Sequence, residues 1–111
     1  MKAVADLSID EARAALLFRA LGNPARVRVV SELATRPGCV TGELVDVLPL
    51  AQSTVSEHLR VLKEAGIVRG VIEGDRCYCL DVETLDALVA FCEKLRDAAR
   101  EATAAAQEQC C

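Results

Sequence analysis

Cys77 and Cys79 stand one residue apart in the stretch "GDRCYCLD", residues 74–81, with Tyr78 between them. A deprotonated thiol is a soft ligand, so two within reach of one atom can chelate a soft ion or oxidise to a disulfide. On an extended strand, positions i and i+2 project to the same face. Their Cα atoms then lie about 6.6 Å apart, close to the upper limit of about 6.8 Å for a disulfide. A bridging metalloid adds length and removes that strain, so the pair suits chelation better than mutual oxidation. Trivalent arsenic and antimony take three thiolates in a pyramid, whereas mercury and cuprous ions accept two or three. The candidates for a third sulfur are Cys92, Cys110 and Cys111. Cys92 also reads as a small buried core residue, and the adjacent terminal pair as a solvated end. Cys39 has no obvious partner. The plain alternative for Cys77 and Cys79 is a strand that carries two small semi-polar residues and binds nothing.

Other chemistry is poorly represented. The single histidine, His58, has no Ser-His-Asp set around it. Neither a phosphate-cradling glycine loop nor a paired-carboxylate pocket is evident, so an enzyme is not expected. At 111 residues the chain reads as one small domain, residues 1–111, of a size that often gains stability by oligomerising. Aromatics are 3% and Trp is absent, which disfavours stacking on single strands or RNA bases. The net charge of −4 is a weak objection to DNA binding, because contact needs only a local basic surface. No apolar run approaches the roughly 18 residues of a membrane span. Asp6, Asp10 and Glu11 make a poor signal peptide. The expectation is a cytoplasmic protein without a membrane partner, whose thiols are metal-binding, reactive or buried rather than disulfide-bonded.

The elements that must position these residues are mostly helical. Ser8 is a candidate N-cap for a first helix carrying Ala15, Leu16, Phe18 and Leu21, ended by Gly22. Asn23 caps a second, with Pro24 at its first position, where the missing N–H costs nothing. Arg36-Pro37-Gly38 closes it. Thr41 is expected to cap a short helix burying Leu44, Val45 and Leu48, broken by Pro49. Then "QSTVSEHLRVLKEAG" places Val55, Leu59, Leu62 and Ala65 on one helical stripe, with Gly66 at its end. The period next changes to that of strands: "IVRGVIE" and "RCYCL" flank Gly74-Asp75 as a hairpin. Asp81 caps a long last helix, about 82–108, whose seam is Leu85, Leu88, Cys92, Leu95, Ala99, Ala102 and Ala106.

This order, α-α-α-α-β-β-α, is mainly α with a small β-hairpin wing. It is that of a winged helix-turn-helix, with the helix-turn-helix at about 41–65 and the wing at about 67–80. The helix beginning at Gln52 is then the one that enters the major groove of double-stranded operator DNA. Gln52, Ser53, Thr54, Ser56, His58, Arg60 and Lys63 are its polar candidates, with Arg69 and Arg76 on the wing. The local cations Arg60, Lys63, Arg69 and Arg76 are matched by Glu57, Glu64, Glu73 and Asp75. Operator binding is expected to weaken steeply with salt, and non-specific affinity to be poor.

The stretches "LFRALGNPARVRVVSELA", "LAQSTVSEHLRVLKEAGIV" and "VIEGDRCYCL" resemble the ArsR/SmtB family of winged-helix repressors, over roughly residues 14 to 92. The resemblance implies a homodimer formed by the first and last helices. It also implies a repressor that leaves its operator when a metal, metalloid or other thiol-reactive signal binds. Two family site types are not intact here. The Cys-x-Cys site ahead of the recognition helix is reduced to Cys39, and the last helix has no His for a zinc or cobalt site. The sulfur residues remain, with arsenite or antimonite as the expected effector of Cys77, Cys79 and a third cysteine. The competing expectations are a thiol-redox or persulfide sensor of the same fold, and a helical protein-interaction domain without DNA function.

Overall fold

Local signals set most of the helix boundaries. The computed structural model describes residues 8–36, 39–71 and 77–105. The first helix, α1, is Glu11–Leu21. Its N-cap is Asp10 rather than Ser8, because the Asp10 carboxylate accepts from the Arg13 N–H at 2.8 Å. In α2, Pro24–Thr35, the Asn23 side chain accepts from the N–H groups of Ala25 and Arg26, with Pro24 in the first turn.

The expected cap at Thr41 is not made. Thr41 is the first residue of α3, Thr41–Val47, and it is buried, with its Oγ1 lacking any hydrogen-bond partner. Just before it lies a two-residue strand, β1, Cys39–Val40, which the sequence pattern did not reveal. The fourth helix, α4, is Gln52–Glu64. It ends in a paired-bond C-cap: the Gly66 N–H donates to Lys63 O and the Ile67 N–H to Leu62 O, both at 3.0 Å. Gly66 holds φ +88°, a left-handed backbone that favours glycine, whereas the Arg13 guanidinium near its Cβ position is the end of a flexible side chain that can move aside.

Strands β2, Val68–Val71, and β3, Cys77–Leu80, pair antiparallel, with Arg69 opposite Cys79 and Val71 opposite Cys77. The Gly74-Asp75 turn and Arg76 lie outside the described residues. The expected hairpin is present, and β1 extends it to a three-stranded sheet. The sheet order is β1-β3-β2, so the thiol-bearing strand is central and hydrogen-bonded along both edges. Gly70 faces Tyr78 across the pair. A Cβ on Gly70 would fall 2.3 Å from the Tyr78 ring, so the ring lies over the bare glycine backbone.

The core gathers Leu17 from α1, Val29 and Leu33 from α2, Leu44 from α3, Val55, Leu59 and Leu62 from α4, and Ile67 and Val68 at the sheet. The last helix, α5, Val82–Ala105, starts where Asp81 Oδ1 accepts from the Thr84 N–H at 3.0 Å, as the sequence implied. None of its residues is fully buried. Leu85 and Leu88 pack partly on the core, and Phe91 meets Phe18 of α1 edge to face, with centroids 6.2 Å apart. Among the described residues no helix is long and apolar enough to cross a membrane.

Candidate nucleic-acid interface and thiol pair

Helix α4 divides its residues cleanly. Val55, Leu59 and Leu62 anchor it to the core at no more than 1% exposure. Gln52, Ser53, Thr54, Glu57 and Arg60 are exposed, while Ser56, His58 and Lys63 are half-buried. Its N-cap is Ala51, which supplies no side-chain hydrogen bond, although the Thr54 and Val55 N–H groups turn back to Ala51 O. The N–H groups at the start of the helix therefore have no side-chain cap, beside an exposed Gln and Ser. That is the arrangement in which a helix end can receive phosphate oxygens while its first side chains reach base edges.

The charges around this face are less free than their number suggests. Arg60 donates from Nε to Glu57 Oε1 at 3.1 Å and from Nη1 to Glu64 Oε2 at 2.7 Å, with a further bond from Nη2 to Glu57 Oε2. The hydrogen bond from Arg60 is the main cause that lowers the Glu57 pKa below its ordinary value, and the paired carboxylates raise that of Arg60. Lys63 Nζ donates to Gly70 O at 3.3 Å, tying α4 to the wing. Arg69 is exposed, 3.8 Å from Asp81. His58 Nδ1 lies 3.4 Å from Arg26 Nη1, and Arg26 Nε donates to Ala20 O at 2.6 Å. His58 is thus linked to α2 as well as facing outward. The i−3 and i+4 spacing of Glu57 and Glu64 from Arg60 is the sequence signal for these pairs.

On β3 the strand period and the core contacts separate two faces. Tyr78 and Leu80 pack against the core, so Cys77 and Cys79 share the other face, with Cys77 half-buried and Cys79 exposed. Cys39 is placed in register with Tyr78 and not with either of the two thiol-bearing residues. Cys92, which could have been a buried core residue, is exposed on α5. Among the described residues, no three His, Cys, Asp or Glu side chains are grouped to hold a metal ion. Cys92 is therefore not grouped with Cys77 and Cys79 within one chain. Cys110 and Cys111 lie outside the described residues.

The pattern of the family described as bacterial regulatory protein, arsR family, matches residues 23–69, from the cap of α2 to the first wing strand. The chain is 39% identical over 62 residues to an uncharacterised HTH-type transcriptional regulator of Methanocaldococcus jannaschii, covering 56% of this chain and 70% of that protein. It is 47% identical over 58 residues to the HTH-type transcriptional repressor SmtB of Mycobacterium tuberculosis, covering 52% of this chain but only 42% of that repressor. Among solved structures, it is similar to a possible transcriptional regulator for arsenical resistance. That match has a TM-score of 0.64 and 33% identity, over 72% of this chain and 82% of that one. A homodimeric winged helix-turn-helix DNA-binding domain from Mycobacterium bovis matches with a TM-score of 0.60 and 26% identity, over 75% of this chain and 80% of that one. With the uncapped polar face of α4, the wing beside it and these likenesses together, the chain belongs to the ArsR family of transcriptional regulators.

Proposed function

We propose that the protein is a homodimeric repressor that places α4 in the major groove of operator DNA and is released when a soft thiophilic ion binds Cys77 and Cys79. The observation that carries the DNA reading is the exposed, uncapped N-terminal half of α4 held rigidly on the core by Val55, Leu59 and Leu62. Dimerisation is supported by the apolar residues left exposed on α1 and α5, among them Phe18, Val89 and Leu95, and by the homodimeric relative. The effector reading is supported by two thiols on one outward face of a central strand that runs directly into α5 through Asp81. Arsenite or antimonite is the favoured ion. Its third thiolate then comes from Cys92 of the other subunit, or from Cys110 or Cys111.

A ligand shifts a two-state equilibrium only by its differential affinity for the two states. The state that joins all the thiols must therefore be the one whose wing no longer fits the groove. Coupling of about 1–3 kcal/mol is enough for release when operator affinity sits near the working concentration. The test is fluorescence anisotropy of a palindromic duplex bound to the full chain and titrated with arsenite, antimonite and a thiol oxidant. Loss of anisotropy with the first two supports this reading. Release by oxidant alone, reversed by dithiothreitol, would replace it with the thiol-redox reading. Failure to bind any duplex would leave a protein-interaction domain.

A further inference from the structure

We infer that Arg60 is a specificity-determining residue that reads a guanine, and that Glu57 and Glu64 position it for that task. The inference rests on the major-groove role proposed for α4. Arg60, Ser53 and Glu57 lie on the face of α4 opposite the buried stripe of Val55, Leu59 and Leu62, where a groove-bound helix meets base edges. A guanidinium has five N–H donors. Three are engaged here, with Nε and Nη2 on Glu57 and Nη1 on Glu64. One N–H remains on each of the two terminal nitrogens. With Glu57 on the Nε–Nη2 edge and Glu64 taking the Nη1 hydrogen on the Cδ side, the two left form the parallel end-on pair that matches the O6 and N7 acceptors of guanine, which a bidentate arginine reads in the major groove.

Charge argues against the alternative of a phosphate contact. One cation between two carboxylates leaves a local excess of negative charge, and a phosphate is repelled from it. A guanine edge is neutral and offers only acceptors, so the same cluster can meet it. The carboxylates also hold a long, flexible side chain in one orientation before DNA arrives, which reduces the entropy lost on binding.

The test is selection of bound sequences from a randomised duplex library by the full chain, with wild type, Arg60→Lys and Glu57→Gln compared. Both changes are at exposed positions, and lysine preserves the charge. Wild type is expected to fix a guanine at one position of each half-site. Arg60→Lys should lower that preference about tenfold or more at that position alone, because an ammonium lacks the planar fork. Glu57→Gln should weaken the same preference several-fold while affinity for all duplexes rises, since a negative charge is removed. If Arg60→Lys selects the same site with every preference intact, Arg60 contacts phosphate only and the inference is overturned. If Glu57→Gln leaves the guanine preference unchanged, its positioning role is overturned. If wild type enriches no sequence, the DNA-binding reading falls first and this one with it.

Discussion

At Cys77 and Cys79, position along the strand and position in the sheet act together. The strand pleat puts both thiols on one face, and hydrogen bonding on both edges of β3 limits their movement relative to α5. Cys77→Ser and Cys79→Ser should therefore each bind operator as wild type does, yet fail to release it with arsenite in the anisotropy titration. If both still respond like wild type, the pair is only structural. Cys92→Ser and the double change at Cys110 and Cys111 should differ, and the one that also fails marks the third ligand. On α4, Gln52→Ala or Ser53→Ala should cost roughly 1–3 kcal/mol of operator affinity if the side chain reaches a base edge. Gly70 offers a stability test. Because the Tyr78 ring covers it, Gly70→Ala should destabilise by about 1–3 kcal/mol in urea unfolding. Combining it with Tyr78→Leu should recover part of that loss, and additive losses would mean the ring is not the obstacle.

Among the elements, α4 is the one proposed to enter the groove, and its two ends are built differently. The C-terminal end is closed by the Gly66 motif, with Leu62 and Ile67 both fully buried beneath it. Gly66→Ala forces a side chain into a left-handed backbone, so a loss of about 1–2 kcal/mol is expected in chemical denaturation. A change there with no loss would show that the turn relaxes freely. The N-terminal end is left without a side-chain cap, in contrast to α1 and α2, which Asp10 and Asn23 cap. Within α4, the lowered Glu57 pKa sets a sign. A carboxyl whose folded value is depressed contributes stability above its unfolded value, and loses it as pH falls through the folded value. The Arg60 cluster is thus intact at neutral pH and is lost only on the acid side of the ordinary carboxylate range. The guanine preference should hold at neutral pH and fall only once the solution is acid enough to protonate Glu57.

Over the whole molecule, α1 and α5 form an apolar flank that one chain leaves open. Leu17 is wholly buried in the core, because it lies on the α1 face with Ala14 and Ala20. Phe18, on the flank of α1 toward α5, and Leu16, on the opposite flank, remain exposed at 44% and 39%. On α5, Leu88 packs partly on the core, so Leu88→Glu would harm folding and dimerisation together. Leu95, at 57% exposure, separates the two effects. Leu95→Glu should yield a folded monomer in sedimentation that has lost operator binding. A wild type that is monomeric at micromolar concentration would remove the dimer from the proposal. Charge gives a second test at this scale. With Arg60 held by carboxylates and Arg69 near Asp81, Glu64→Gln should raise affinity for duplex DNA of any sequence, most visibly at low salt.

The sequence alone determined what depends on neighbours along the chain. The Asn23-Pro24 start, the stripe of Val55, Leu59 and Leu62, the glycine after α4 and the Asp81 cap are local in cause. So were the helix order and the shared face of Cys77 and Cys79, which follows from the strand period. Tertiary structure decided what depends on residues far apart in sequence. A two-residue strand at Cys39 carries no periodicity, and it exists only because β3 offers a free edge. Thr41 became a buried helix residue and not a cap because the strand before it fixes its approach. Leu17 and Leu16 are equivalent in type, and only packing against α2 and α4 sends one inward. The exposure of Cys92, and its failure to join the strand thiols in one chain, followed from where α5 crosses the molecule, which its own sequence pattern does not encode.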